Sequence, residues 1–559
     1  ASAATIPING LVVNKEKEPM VGVTVLLKGT SQGVTTDAEG RFFIDVPDKK
    51  SVLSFGFVGY QTQEIVVGSR INLHVILEEQ VSELDEVVVV GYGTQRKLSV
   101  VGAVEGLAPK DLQIGTNRSL SNNLAGQLSG VIAVQRTGEP GKDNSDFWIR
   151  GISTFAGGST PLVLVDGVER SLNDMDPAEI ESFSILKDAA ASAVYGVRGA
   201  NGVILINTKR GEVGPPKVSL RYEVAMSEPT KLPEFVDATT YMEVMNAIAS
   251  DSRITLPFSQ KQIGLTKSRY DTDLYPDVDW IDAITRHGYY QDYNLSASGR
   301  VGQTGYYASM GYLNTDGLVI GSDLERFSGR VNLDSKFKFL TLGVNSSYSY
   351  SIQNGFSQST AGSMNSPVTL AISGRTALDP FYDENGDYLE GNYPHPLAVV
   401  DSKTGSLYRT KVQTVNANPY LQVDFGKGIY AKTTLGVNIT DQNIYTYYSA
   451  LYDPNGVDSN GLGTDFTSKT SVITWTNVLG WNYTFNEKHA VNLMLGQEMQ
   501  RKFYNYSVLE GTDFPFAGEG MRDLSTAGSW NDSAYYKSEA TLASYFVDAH
   551  YAYDDKYYV

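Results

Sequence analysis

From Lys217 onward alternation of apolar and polar residues dominates the chain. In "DYNLSASG", Tyr293, Leu295 and Ala297 share a face opposite Asn294, Ser296 and Ser298. In "RFSGRVNLDSKF", Phe327, Val331 and Leu333 oppose Ser328, Arg330, Asn332 and Asp334. "LTLGVNSSYSY", "LQVDF", "AKTTLGVNI" and "HAVNLMLGQEMQ" repeat the theme. A period of two belongs to extended strands, whose successive side chains point to opposite faces. Turns such as Asn486-Glu487-Lys488 and Asp554-Asp555-Lys556 would join them as antiparallel hairpins.

A soluble sandwich also has one apolar and one polar face. Three features favour a transmembrane barrel over residues 214–559. The strands are expected to run roughly ten residues, which suits a tilted span. Tyr clusters near strand ends ("YYQDY", "YTYYS", "DKYYV"), as interfacial girdles do. Short turns alternate with long polar loops such as Ala361 to Tyr408. After the last turn only Tyr557, Tyr558 and Val559 remain. An open barrel edge in lipid would leave backbone groups unpaired at several kcal/mol each, so the sequence is expected to stop part-way through the barrel.

Other classes are disfavoured. The longest apolar runs, Val87 to Val90 and Val23 to Leu27, fall far short of the ~20 residues of a membrane helix. A formal charge of −18 argues against a nucleic-acid partner, which wants a basic face. The absence of cysteine excludes disulfides, thiolate metal sites and cysteine catalysis. Histidines 74, 287, 395, 489 and 550 are scattered, and no HxxE or HExxH pattern occurs. No catalytic residue, metal site or cofactor is expected, and the chain is not read as an enzyme. "DPFYDENGDYLEG" (Asp379 to Gly391) fails the calcium-loop spacing and reads better as a Gly-containing hairpin turn. Ala1-Ser2-Ala3 is either the end of a removed signal or a frayed terminus.

Upstream, the texture differs. Residues 1–78 hold short β-rich runs ("GLVVN", "VTVLLKG", "GVTTD", "RFFIDV", "VLSFGFVGY", "EIVV", "INLHVIL") separated by turn signals such as Asp37-Ala38-Glu39-Gly40. That spacing suggests a small β-sandwich. Residues 79–95 are a connector, acidic and then apolar. Residues 96–213 mix strand-like "FWIRG", "PLVLVDGV" and "NGVILINTKRG" with two expected short helices. One follows an N-cap at Ser119 or Ser121, with Leu120, Leu124 and Leu128 at i, i+4 spacing. The other places Pro177 at its first position and stops at Gly196. The region reads as a compact α+β domain.

"GVTVLLKGTSQGVTTDAEGRFFIDVP" resembles the carboxypeptidase-regulatory-like, transthyretin-type domain. "LDEVVVVGYGTQRK", "IRGISTFAGGSTPLVLVDGV" and "SILKDAAASAVYGVRGANGVILINTKRG" resemble the SusC/RagA-type TonB-dependent outer-membrane transporters. The resemblance implies a mainly β fold: sandwich, α+β plug domain, then an antiparallel transmembrane β-barrel of 22 strands in the family, only the first part present here. It implies import of oligosaccharides across the cell outer membrane, with the sandwich in the periplasm. The implied partners are TonB with ExbB and ExbD, energised by the proton gradient; a SusD-like surface lipoprotein acting as a lid; outer-membrane lipid; and a glycan or peptide ligand. A homodimer of transporter–lipoprotein pairs is a further expectation. An oligopeptide, siderophore or cobalamin importer, and a passive surface adhesin, stay open as alternatives.

The resemblance also places residues. Asp85, Glu86, Val87, Val88, Val89, Val90, Gly91 and Tyr92 fall where a TonB box would, between sandwich and plug. Strand addition needs exposed backbone more than particular side chains. The β-branched valines prefer extended conformations, and the two acids keep a free segment soluble. A dinucleotide loop is the weaker reading, because G-x-G-x-x-G from Gly91 would need glycine where Arg96 stands. An ordinary core strand is the plain alternative. Arg150 in "IRG" and Lys187 in "ILK" occupy positions where such plugs carry cations facing barrel glutamates. In "VNLMLGQEMQ", Glu498 lies opposite Val491, Leu493 and Leu495, hence toward the lumen. Arg150 and Lys187 with Glu498 are therefore the expected plug–barrel latch, with pairing inside the plug as the alternative for Arg150. Thr154, Phe155 and Ser159 mark an expected ligand-facing plug loop.

Overall fold

The computed structural model describes residues 6–558 except 15–17, 29, 31, 58–59, 61, 69, 78–86, 91–92, 97–103, 108–111, 113–118, 152–157, 357–365, 390, 392, 402, 404, 487, 532 and 555–556. Two compact units divide the chain near Val87.

Among the described residues the first unit has seven strands: β1 (Ile6–Val13), β2 (Thr24–Leu27), β3 (Gly33–Thr35), β4 (Arg41–Val46), β5 (Val52–Gly56), β6 (Gln63–Val66) and β7 (Asn72–Ile76). They form two sheets, β4-β1-β7 and β3-β2-β5-β6. Alternate residues (Val25 and Leu27, Phe42 and Ile44, Leu53 and Phe55, Leu73 and Val75) fill one core. The turn before β4 closes as its sequence predicts: the Asp37 carboxylate accepts from the Arg41 N–H at 2.7 Å, and Gly40 takes a left-handed φ of 74°.

Next, β8 (Val87–Val90) pairs with β9 (Gly93–Arg96) in a two-stranded sheet. The plug follows with β10 (Val104–Leu107), β11 (Val131–Gln135), β12 (Ser145–Ile149), β13 (Leu162–Val165), β14 (Val168–Glu169), β15 (Ile180–Leu186) and β16 (Val203–Thr208). Its main sheet runs β10-β15-β16-β13-β14, with β13 and β16 parallel. Val163, Val165, Ile204 and Ile206 enter one core, and Leu162, Leu164, Val203 and Leu205 enter another. Burial on both faces explains the near-continuous apolar runs of these strands.

The two expected helices are corrected. Only Leu120–Asn123 is α-helical in the first, after Ser119. In the second, Pro177–Glu179 forms a single 3-10 turn and the chain then extends as β15; helix returns at Ala189–Ser192, and Gly196 interrupts the 3-10 turns after it, as expected. The Asp176-Pro177 start signal is genuine, since Asp176 Oδ1 accepts from the Ala178 N–H at 2.8 Å. Pairing of Ile180–Leu186 with β16 and β10 outweighs continuation of the helix.

The last region is one antiparallel sheet. Its long strands are β17 (Lys217–Ser227), β18 (Gly288–Val301), β19 (Thr304–Asp316), β20 (Asp323–Phe337), β21 (Leu340–Gly355), β22 (Leu407–Gly426), β23 (Ile429–Tyr448), β24 (Leu462–Phe485) and β25 (His489–Thr512). The short β26 (Ser529–Trp530), then β27 (Ala534–Tyr553) and β28 (Tyr557–Tyr558), complete it. Each long strand pairs with its sequence neighbour; β17 and β28 are not paired with each other. Tight turns share one rim and take left-handed residues: Gly302, Lys338, Lys427, Gly428, Asn486 and Asp554. The longer connections share the other rim. On that rim the Asp379 to Gly391 segment is a hairpin turn: Asp383 Oδ1 accepts from the Asn385 N–H at 2.8 Å and the Asp387 N–H at 3.0 Å.

The strands exceed the expected ten residues, because β22 and β23 have 20 and β24 and β25 have 24. The outward row of β24 shows why. From Phe485 through Tyr483, Trp481, Leu479 and Trp475 to Ile473 it is apolar, with Asn477 the one polar member. That is about 40 Å of strand at ~3.3 Å per residue, or roughly 30 Å after barrel tilt. Beyond it the outward row turns polar, and Lys469 pairs with Asp441 of β23 at 3.2 Å. The apolar band thus sits near the tight-turn rim, and the rest of each long strand projects past it.

Candidate functional site

The plug packs on the polar inner row of this sheet, and three zones of contact differ in character.

The first zone lies on β17–β20. Asp176 caps the 3-10 turn Pro177–Glu179 and Glu179 ends it, and both aim at the wall. Glu179 Oε2 accepts from Arg330 Nε at 2.8 Å, and Oε1 accepts from the Ser309 hydroxyl at 2.6 Å. Asp176 accepts from Arg221 at 3.0 Å and from the Asn294 amide at 2.7 Å. Arg221 also pairs with Asp292 at 2.5 Å, so one wall cation bridges two strands and the plug. The Asn332 amide donates to the Thr208 hydroxyl and the Lys209 carbonyl, each at 2.8 Å. Arg326 donates to the Asn173 carbonyl at 3.1 Å. Buried pairs of this kind cost about 3–5 kcal/mol to break from one side. Two of them, with five further bonds, make this zone the plug's anchor.

The second zone lies on β25. Glu498 points inward, as its place in the alternation predicts, and its side chain is 5% exposed. It pairs with Arg198 of the plug and accepts from the Thr476 hydroxyl at 3.2 Å. Arg198 also reaches Glu169 of β14 at 3.4 Å, and the Gln500 amide donates to that same Glu169 at 3.4 Å. The loop carrying Arg198 is set by Gly196, whose φ of 56° and ψ of −141° suit only glycine.

The third zone lies between them, where β14 faces β21–β23. Arg170 approaches the Ser347 hydroxyl at 3.5 Å. Val168 lies against Gly436, where an added Cβ would stand 2.6 Å from a Val168 methyl. Arg210 donates to the Tyr420 hydroxyl at 3.2 Å.

The expected latch cations are placed elsewhere. Arg150 takes a left-handed φ of 57°, which turns its side chain to Asp188 within the plug. Lys187, at the end of β15, pairs with Glu105 of β10 and donates to Ser129. Burial would raise the Glu105 carboxyl, but hydrogen bonds from Lys187 and Ser129 hold it below the usual range. Neither cation meets Glu498; Arg198 does. Sequence reading missed Arg198 because it lies in a run of small residues whose path depends on Gly196. Ser159 accepts from the Trp148 indole at 3.0 Å, while Thr154 and Phe155 lie outside the described residues. Of the TonB-box segment, Val87–Val90 form β8; Asp85, Glu86, Gly91 and Tyr92 lie outside the described residues.

The plug is thus held against a polar wall by ion pairs and hydrogen bonds, with Val194 in apolar contact beside β25. Comparison with known proteins fits that picture. Residues 8–89 match the CarboxypepD_reg-like domain, and residues 96–203 match the TonB-dependent receptor plug domain. The chain is 30% identical to TonB-dependent receptor P39 of Formosa agariphila, over 99% of this chain and 52% of that protein. It is 32% identical to TonB-dependent receptor SusC of Bacteroides thetaiotaomicron, over 68% of this chain and 36% of that protein. The chain thus spans about half the length of the curated relatives it matches along nearly all its residues. Its fold is similar to that of the RagAB peptide importer in the open-open state, with a TM-score of 0.70 at 23% identity, covering 84% of this chain and 55% of that one.

Proposed function

The chain carries the domain order and the sequence of SusC/RagA-type TonB-dependent receptors, and from that premise we propose that it works in active import across the outer membrane. The observation that carries this reading is the plug itself. An α+β domain stands against the polar inner row of a sheet whose outer row carries an apolar band. It is bound there largely by ion pairs and hydrogen bonds, with Val194 in apolar contact beside β25, so it can be displaced and returned. The pull would enter through Asp85 to Tyr92, captured as an added strand by TonB, with the proton gradient acting through ExbB and ExbD.

The cargo we propose is a glycan oligosaccharide, delivered by a SusD-like lipoprotein. The inner row of β21–β23 supports this, because it offers amides and hydroxyls such as Ser347, Asn416 and Asn438. An oligopeptide is the second reading, favoured by the fold's likeness to a peptide importer. The test is uptake of a fluorescent neutral oligosaccharide and of a fluorescent oligopeptide by cells with and without TonB. Oligosaccharide uptake that requires both the protein and TonB is expected. Peptide uptake alone would replace the glycan reading, and uptake independent of TonB would overturn the importer reading.

A further inference from the structure

We propose that the imported solute passes between the β14 edge of the plug and the wall formed by β21–β23, and that this seam takes a neutral, hydroxyl-rich chain. The inference rests on the importer reading and adds where the plug parts from the wall.

The contacts around the plug are uneven. On β17–β20 they include Arg330 with Glu179 and Arg221 with Asp176, both largely buried. On β25 they include Arg198 with Glu498, supported by Gln500, and Val194 packs beside them against Val478, Met494 and Phe546. Between these, Glu139 and Lys142 bond Phe356 beyond the end of β21, and Lys142 lies 4.5 Å from the Tyr408 ring, but β14 itself is only two residues long, held to β13 by two residue pairs at the edge of the plug sheet. It follows the tight turn at Asp166 and Gly167, both left-handed. A short edge hairpin is the part of a sheet that costs least to displace.

The facing wall carries a row of unmatched polar groups with no charge among them. Thr414, Asn416 and Asn418 are consecutive inward residues of β22, and they are 2%, 6% and 1% exposed. Yet Thr414 Oγ1, Asn416 Oδ1 and both amide atoms of Asn418 have no hydrogen-bond partner among the described residues. Buried polar groups in native proteins are normally bonded, so an exception calls for a reason. Across the sheet their neighbours are Asn345 and Ser347 on β21 and Asn438 and Thr440 on β23. None of these carries a charge. A carbohydrate chain presents donors and acceptors at every ring and needs no counter-ion, so it would complete these bonds as it passed. A cationic solute would find no carboxylate among these residues, and the charge that faces them is Arg170 of the plug, beside Ser347. Loss of the Arg198–Glu498 pair would free this side while the Asp176 and Glu179 side stays as the hinge.

The chain contains no cysteine, so introduced thiols are unique within it. Single variants Asn416→Cys and Asn418→Cys report the seam, and Ser309→Cys and Asn332→Cys report the anchor. Each is made in the full-length protein and labelled in cells with a membrane-impermeant maleimide, with and without an uncoupler. Seam labelling should rise at least tenfold when TonB is energised, with the anchor sites unchanged. Thr414→Cys repeats the measurement should either amide variant fail to reach the surface. An equal or greater rise at the anchor, or no rise at the seam, would overturn the proposal. Uptake of a fluorescent neutral oligosaccharide in the same cells separates the two readings. If uptake survives deletion of Val87–Val90, the importer reading falls with it; if uptake needs those residues while the seam stays silent, only the route falls.

Discussion

Arg330 of the wall donates to Glu179 of the plug at 2.8 Å, with the two side chains 2% and 6% exposed. Removing one partner leaves the other charged and buried, at a cost of about 3–5 kcal/mol. Glu179→Ala should therefore lower the plug's stability to urea by about that amount. The double variant Glu179→Leu, Arg330→Met should recover most of it, since a well-packed apolar pair is often neutral. Denaturation of the purified protein followed by tryptophan emission checks both; a double variant as unstable as the single one would mean that the pair is not what holds the turn.

The latch on β25 gives a second prediction. Glu498→Ala and Arg198→Ala should each raise the leak conductance of the protein in planar bilayers, with barrel assembly unchanged. The double variant should leak no more than either alone, because coupled partners are not additive. Arg150→Ala and Lys187→Ala should leave the leak at its starting level, as both pair inside the plug. A leak from Arg150→Ala equal to that of Glu498→Ala would restore the arrangement expected from sequence.

Those residues also show how far the sequence could be read. The inward direction of Glu498 follows from the period of two, which β25 keeps in unbroken register against β24 and β27. The cation it meets does not follow, because Gly196 sets the backbone that presents Arg198. The sandwich, plug and sheet are legible from turn signals and alternation. Strand length is not, because alternation continues past the apolar band into polar residues such as Asp441 and Lys469. The Pro177 turn is read correctly as a start, but its continuation is decided by β16, a partner distant in sequence. The anchor residues Asp176 and Glu179 carry no local signal beyond that cap.

A third prediction concerns pH. His395 caps the helix Pro396–Val400, its Nδ1 accepting from the Ala398 N–H at 3.3 Å, and lies 4.9 Å from the Trp280 ring. Burial, and then the nearby Arg375 charge, push its pKa down from 6.5 to about 4. The unfolded loop therefore binds the proton first as acid is added. The stability this residue lends is complete above pH 6.5 and is lost as pH falls from there through about 4. Hydrogen exchange over residues 366–400 should quicken across that window, and His395→Phe should remove this dependence. An unchanged pH profile in the variant would contradict the assignment.

The tight-turn rim gives a fourth. A Cβ on Gly428 would stand 1.7 Å from the Asn482 carbonyl oxygen, at a φ of 80°. Gly428→Ala should cut the amount of assembled protein at the surface several-fold. Gly426→Ala, with a similar φ of 86° and nothing within 4 Å, should cost only the backbone penalty of about 1–2 kcal/mol. Equal surface levels for the two variants would show that the β22–β23 turn rearranges.

The central claim is that Leu84 to Tyr92 is a handle pulled from outside the chain. Its most direct measurement is uptake by cells in which the full-length protein lacks Asp85 to Tyr92, with surface display verified by antibody. The account predicts that uptake is abolished while display stays normal. Undiminished uptake at normal display would contradict it.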